Sequence, residues 1–203
     1  NGGGGVVNQG CTMYILSSVI SNNRATGSCC GGIYNVGGAT LTMIHSSVIS
    51  NVAGRTDRFG GAGILNESST ANIANSTISG NSANVHGGGI YQSAVPGAAT
   101  INLTNVTLTN NTADADNNGF GDGGGIYNES GAFNLKSTII AQNIDRGGQN
   151  PDIVTTITSQ GYNLIGTVGT TNFASNTTGD QYGDPNNTTT ANAGAQESAT
   201  AIN

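Results

Sequence analysis

One phrase returns five times along this chain, and a chain that repeats itself at such a period is built by stacking one small unit on the next. GGGVVN (Gly3 to Asn8), GGIYN (Gly31 to Asn35), GAGILN (Gly61 to Asn66), GGGIYQ (Gly87 to Gln92) and GGGIYN (Gly123 to Asn128) are variants of it. A second phrase follows each: SSVISN (Ser17 to Asn22), SSVISN again (Ser46 to Asn51), STISGN (Ser76 to Asn81), VTLTNN (Val106 to Asn111) and STIIAQN (Ser137 to Asn143). A stack has two ends and long faces, and function is expected there.

The spacing describes the unit. Val6 to Ile33 is 27 residues, Ile33 to Ile64 is 31, Ile64 to Ile90 is 26 and Ile90 to Ile126 is 36. The variation falls between the Asn of the second phrase and the next glycines, as in a coil with one variable loop. Each unit reads as three short strands: the GIYN phrase, then TMYIL, LTMIH, ANIAN, INLTN or FNLK, then the SVIS or STIS phrase. Apolar and polar residues alternate within them. Such short strands are not stable alone. Pairing each with its equivalent one coil further on gives an all-β chain, a right-handed parallel β-helix (solenoid) of about six coils over residues 1–166. An irregular tail, 167–203, follows as a cap, linker or donor strand.

Three inward columns follow from that reading. Val19, Val48, Ile78, Leu108 and Ile139 form one. Tyr14, Met43, Ile73 and Leu103 form a second, which Leu135 joins after a one-residue offset. Ile33, Ile64, Ile90 and Ile126 form the third. Asn22, Asn51, Asn81, Asn111 and Asn143 form a polar column, because Asn tolerates left-handed turns and stacked amides bond from coil to coil. No helix follows the glycines, so a phosphate-binding loop has no support and they read as corners.

Composition narrows the function. Charged residues make up 8% of the chain, the net charge is −6 and Lys136 is the single lysine. That balance argues against nucleic acid. No apolar run reaches the roughly 18 residues of a membrane span. The chain carries no signal peptide and reads as a mature or excised piece. Cys11, Cys29 and Cys30 fit no zinc pattern. They are read either as a disulfide from Cys11 to Cys29 or Cys30, stapling the first coil, or as buried thiols.

GGGIYN, the STISGNSA phrase (Ser76 to Ala83), STIIAQN and SQGYNLIG (Ser159 to Gly166) resemble the repeats of bacterial extracellular right-handed β-helix proteins. They are similar to the polymorphic outer-membrane-protein repeat and, more closely, to large surface proteins with a choice-of-anchor C-terminal region. The FxxN element of the former is absent. The resemblance spans roughly Gly2 to Gly166 and implies a bacterial, extracellular or cell-surface location.

The sharpest local constellation is Asp114, Asp116, Asn118 and Asp122, with Gly119 at the tight turn. It matches a calcium loop of the D-x-D-x-[DN]-G-x-x-D kind. Gly125 stands where the bidentate Glu is expected, and Glu129 comes four residues later. A polysaccharide lyase or hydrolase needs an acid–base pair or a basic residue beside calcium. Arg24, Arg55, Arg58, Arg146, Lys136 and the Asp57, Asp145 and Asp152 loops form no compact signature, so no catalytic residue is assigned. His45 and His86 read as surface or corner residues. Ice binding needs T-x-T on several coils. Thr77, Thr107 and Thr138 are read as outward, with Ser47, Ser79 and Thr109, yet only Thr107-Leu108-Thr109 is a clean T-x-T.

What remains is an extracellular structural protein that self-associates end to end into a filament or sheath, with an adhesin fragment binding surface glycans as the alternative. The first coil enters directly from NGGGGVVN without a capping helix. Its partners are expected to be other copies of itself, through Gly2, Gly3, Gly4, Val6 and Val7, and through strand addition by Thr167, Val168, Thr170 and Phe173.

Overall fold

A computed structural model of the chain describes residues 4–56, 60–95, 97–148, 150–167, 173–174 and 178–183. Every regular element among them is a β-strand and every pairing is parallel. The whole is a solenoid of about five turns. The first turn holds β1 (Val6–Gln9), β2 (Thr12–Leu16), β3 (Val19–Ser21) and β4 (Arg24–Ala25). The second holds β5 (Ile33–Val36), β6 (Thr40–Ile44), β7 (Ser47–Ile49) and β8 (Val52–Ala53). The third holds β9 (Ile64–Glu67), β10 (Thr70–Ser79) and β11 (Ser82–Ala83). The fourth holds β12 (Ile90–Ser93), β13 (Thr100–Thr109) and β14 (Thr112–Ala113). The fifth holds β15 (Ile126–Asn128), β16 (Ala132–Lys136), β17 (Ile139–Ala141) and β18 (Ile144–Asp145). A shorter sixth holds β19 (Ile153–Val154), β20 (Ile157–Ser159) and β21 (Leu164–Ile165), and β22 (Phe173–Ala174) and β23 (Gln181–Tyr182) pair onto it.

The unit therefore carries one element more than the three read from sequence. The dipeptides of β4, β8, β11, β14 and β18 make a narrow third sheet. Its inward residues are Ala25, Ala53, Ala83 and Ala113, small enough for a tight corner.

Two corners recur in left-handed geometry. Ser17, His45, Asn75, Asn105 and Ser137 have φ between 45° and 54°, and Asn22, Ser50, Asn110 and Gln142 have φ between 55° and 61°. The register of β10 on β13 pairs Ala74 with Thr104 and Ser76 with Val106, skipping Asn75. The long strand thus bends there without losing its partner.

The inward columns of the second sheet need correction. Val19 pairs with Ser47 and is 65% exposed, while Ile20 pairs with Val48. Ile139 pairs with Thr107 and is 42% exposed, while Ile140 pairs with Leu108 and is buried. The column is Ile20, Val48, Ile78, Leu108, Ile140 and Ile165. Tyr14 likewise points outward, in register with Thr42. Ile15 stacks on Met43, and Leu135 meets Leu103 with no offset. A fourth column runs Met13, Leu41, Ala71, Ile101 and Phe133. The Ile33, Ile64, Ile90 and Ile126 column stands as read, extended by Val6 and Ile153.

The polar column is a hydrogen-bonded ladder whose first member is Asn23, not Asn22. Asn23 Nδ2 donates to Asn51 Oδ1, Asn51 to Asn81, Asn81 to Asn111, Asn111 to Asn143 and Asn143 to Asp152, at 2.8 to 3.0 Å. Asn22 instead takes the left-handed corner just before it. The ladder amides sit inside and are not the turn residues.

This ladder explains the glycine phrase. A Cβ on Gly89 would lie 2.6 Å from the Gly125 carbonyl oxygen and 3.1 Å from Asn111 Nδ2. Gly63 stands the same way against Asn81, and Gly125 against Asn143. The preceding glycine meets the third sheet: a Cβ on Gly88 would lie 2.4 Å from the Thr112 carbonyl oxygen, and one on Gly124 would lie 2.3 Å from that of Ile144. Only Gly61, Gly87 and Gly123, one place earlier, are corners with positive φ. The two repeated phrases are thus two sides of one contact.

Candidate functional site

A second amide ladder lines the first sheet and ends at an unmet bond. Asn35 Nδ2 donates to Asn66 Oδ1, Asn66 to Gln92 Oε1 and Gln92 to Asn128 Oδ1. Asn8 begins the series, giving its Nδ2 to Asn35 Oδ1 at 2.8 Å and to the Thr40 carbonyl. In turns two to five the side-chain oxygen receives the amide of the turn before. Asn8 is 1% exposed, and its buried Oδ1 has no hydrogen-bond partner among the described residues. A buried amide oxygen left unpaired costs about 1–3 kcal/mol. It is positioned for a donor one turn ahead of the first coil.

The surroundings of Asn8 repeat the message. Among the described residues, strands β1, β2, β3 and β4 each stand at the end of their sheet, with one edge that no described strand pairs. The first coil is also apolar on its outside. Tyr14 stands where later turns have Thr42, Asn72, Asn102 and Asn134, and Val19 where turns two to four have Ser47, Thr77 and Thr107 and the fifth has Ile139. Val7, Tyr14, Leu16 and Val19 are 42%, 67%, 55% and 65% exposed. An open hollow of about 440 Å³ lies there, lined by Val6, Met13, Tyr14, Ile15, Leu16, Ser18 and Ile20. Of the expected association residues, Gly4, Val6 and Val7 belong to this edge, and Gly2 and Gly3 lie outside the described residues.

The other half of the expected association surface is described only in part. Phe173 sits in β22, paired with β20 of its own chain in register with Ile157. The Thr167 N–H donates to Asp152 Oδ2. Val168 and Thr170 lie outside the described residues.

The Asp114 loop forms an internally bonded turn. Buried Asp114 accepts the Asn118 N–H on Oδ1 and the Gly119 N–H on Oδ2, and Asp116 Oδ2 accepts from the Asn118 amide. Asp122 lies apart from these, its N–H donating to His86 Nδ1 and its Oδ1 accepting from the Asn150 amide. Among the described residues no three acidic, His or Cys side chains form a metal-binding group.

Sequence reasoning missed the cluster around His86. The outward residues of the first sheet, Tyr34, Leu65, Tyr91 and Tyr127, stack under the variable loops as a second small core with Cys29 and Cys30. The His86 ring lies 4.1 Å from that of Tyr127 and 5.5 Å from that of Phe120. Burial lowers its pKa, and burial raises that of Asp122. The His86 Nδ1 is already occupied as an acceptor, so this pair holds a loop against an aromatic surface. The tyrosines at one fixed place in units two, four and five were the available signal. Of the Arg55, Asp57 and Arg58 loop, Arg55 is half-buried, and Asp57 and Arg58 lie outside the described residues. Thr138, read as outward, is buried. Its hydroxyl accepts the Val106 N–H, because Ile139 takes the outward place. The three cysteines are free thiols, Cys11 exposed at the turn after β1 and the other two buried in the loop between β4 and β5.

Comparison with protein-family models, curated proteins and solved structures found no match. No helix among the described residues is long and apolar enough to cross a membrane.

Proposed function

We propose that this chain is a structural solenoid of an extracellular or cell surface, joined end to end with other copies through the edge of its first coil. Asn8 carries the reading. Its buried oxygen lacks the donor that every other member of its ladder receives. A further coil in parallel register, with a side-chain donor at that position, would supply the bond; the last coil of this chain carries Thr155 there. It would also pair the four strand edges and cover Tyr14, Leu16 and Val19. Two first coils meeting head to head would instead oppose two Asn8 oxygens, so the stack runs in one direction and does not close on itself. The low charge of 8% keeps repulsion between stacked turns small. The repeats' resemblance to bacterial surface β-helices gives the setting, a polar rod exposed outside the cell.

Sedimentation velocity tests this over a range of concentrations. Assemblies in multiples of 20.2 kDa are expected. Tyr14→Lys with Val19→Lys should return the chain to monomer at unchanged thermal stability, since both side chains are exposed. A monomer at every concentration would overturn the proposal.

A further inference from the structure

Cys29 and Cys30 occupy the place where later turns have His86-Gly87 and Asp122-Gly123, directly before the glycines of the repeat. Their Sγ atoms are 2.7 Å apart. Both are buried, Cys30 completely, against Tyr34, Leu65 and Tyr91. An S–S bond is about 2.05 Å long, so the two sulfurs are nearly within bonding distance already. Cys11 has no such neighbour. It stands at the far end of β1 from the glycines that pair with coil two, while Cys30 accepts the Gly4 N–H at the near end.

We propose that Cys29 and Cys30 are a redox site that closes to a vicinal disulfide, leaving Cys11 as the free thiol. The ring would lock the loop between β4 and β5 over the aromatic column at the end of the solenoid nearest the association edge. The two sulfurs are unequal in a way that suits the chemistry. The hydrogen bond from Cys30 brings the Cys29 thiol down to about 7, helped by Ser28 and Arg55 against the effect of burial, whereas burial raises Cys30. Cys29 is therefore the attacking thiolate. With a small-molecule disulfide as oxidant, the Cys29 sulfur displaces one thiol and forms a mixed disulfide. The Cys30 sulfur then attacks Cys29 and displaces the second thiol. Two protein thiols are oxidised, the oxidant is reduced to two thiols, and these carry the two protons.

The test exposes the folded chain to oxidised glutathione, alkylates it after unfolding without reductant, and maps the peptides by mass spectrometry. One alkylated cysteine, Cys11, is expected, with a peptide spanning Cys29 and Cys30 lighter by two hydrogens and restored by dithiothreitol. Cys11→Ser should leave no alkylated cysteine, and Cys29→Ser should leave two. Three alkylated cysteines in the parent chain, a lasting glutathione adduct on Cys29, or a bridge from Cys11 to either partner would each overturn the proposal.

Discussion

Asn81 Nδ2 donates to Asn111 Oδ1 at 2.9 Å, and the Asn81 backbone N–H shares the same oxygen at 3.1 Å. Asn111 passes the pattern on, giving its own amide to Asn143 Oδ1 and to the Ile78 carbonyl. One side chain thus satisfies groups in three turns, with no water needed inside the rod.

Asn111→Ala should destabilise the chain by about 3 kcal/mol, because the Asn81 donors and the Ile78 carbonyl lose their buried partner. The comparison is Asn105→Gly. Asn105 also stacks its amide on a neighbour, Asn75, but it is exposed and sits in a left-handed corner that glycine accepts. Its cost should stay below about 1 kcal/mol. Urea denaturation of the two variants checks the difference, and equal midpoints would refute the assigned role of the ladder.

Gly89→Ala tests the meaning of the repeated glycines. The added methyl would meet the Gly125 carbonyl and the Asn111 amide, neither of which has room to move. A loss of about 2 kcal/mol is expected from this overpacking. Gly27→Ala has nothing within 4 Å of the new methyl, and should be neutral or stabilising by up to about 1 kcal/mol. Thermal melts that move by the same amount in both variants would show that the contact is not what selects glycine.

His86 sets a pH dependence. Burial holds its folded pKa below the unfolded value of 6.5. The unfolded chain therefore binds the proton more readily, and the stability His86 contributes is present above pH 6.5 and lost as pH falls through its folded pKa. Asp122 and Asp152 act in the opposite sense. Burial raises their pKa above 3.8, so their contribution is full below that value and is lost as pH rises through the folded pKa. Denaturation at pH 7 and pH 5 should show a smaller loss of stability on acidification in His86→Gln than in the parent. An identical loss in both would place the acid sensitivity elsewhere.

The repeated phrases by themselves determined the architecture. Residues that recur in register must pair with their equivalents when their strands are too short to stand alone, and that is sufficient for a parallel solenoid. The Ile33, Ile64, Ile90 and Ile126 column was legible because Ile keeps the same place directly after the glycines in each phrase, while its neighbour varies between Tyr and Leu. Where two apolar residues are adjacent, alternation alone carries no phase. Val19 and Ile20, Ile139 and Ile140, and Tyr14 and Ile15 were undecided for that reason, and the pairing of the neighbouring turn chose between them. The same holds for Asn22 and Asn23, where the corner took one and the ladder the other. The unmet oxygen of Asn8 and the packing of His86 on Tyr127 left no trace in the order of residues. Each depends on what lies one turn away across a variable loop. Only the folded stack brings those atoms together.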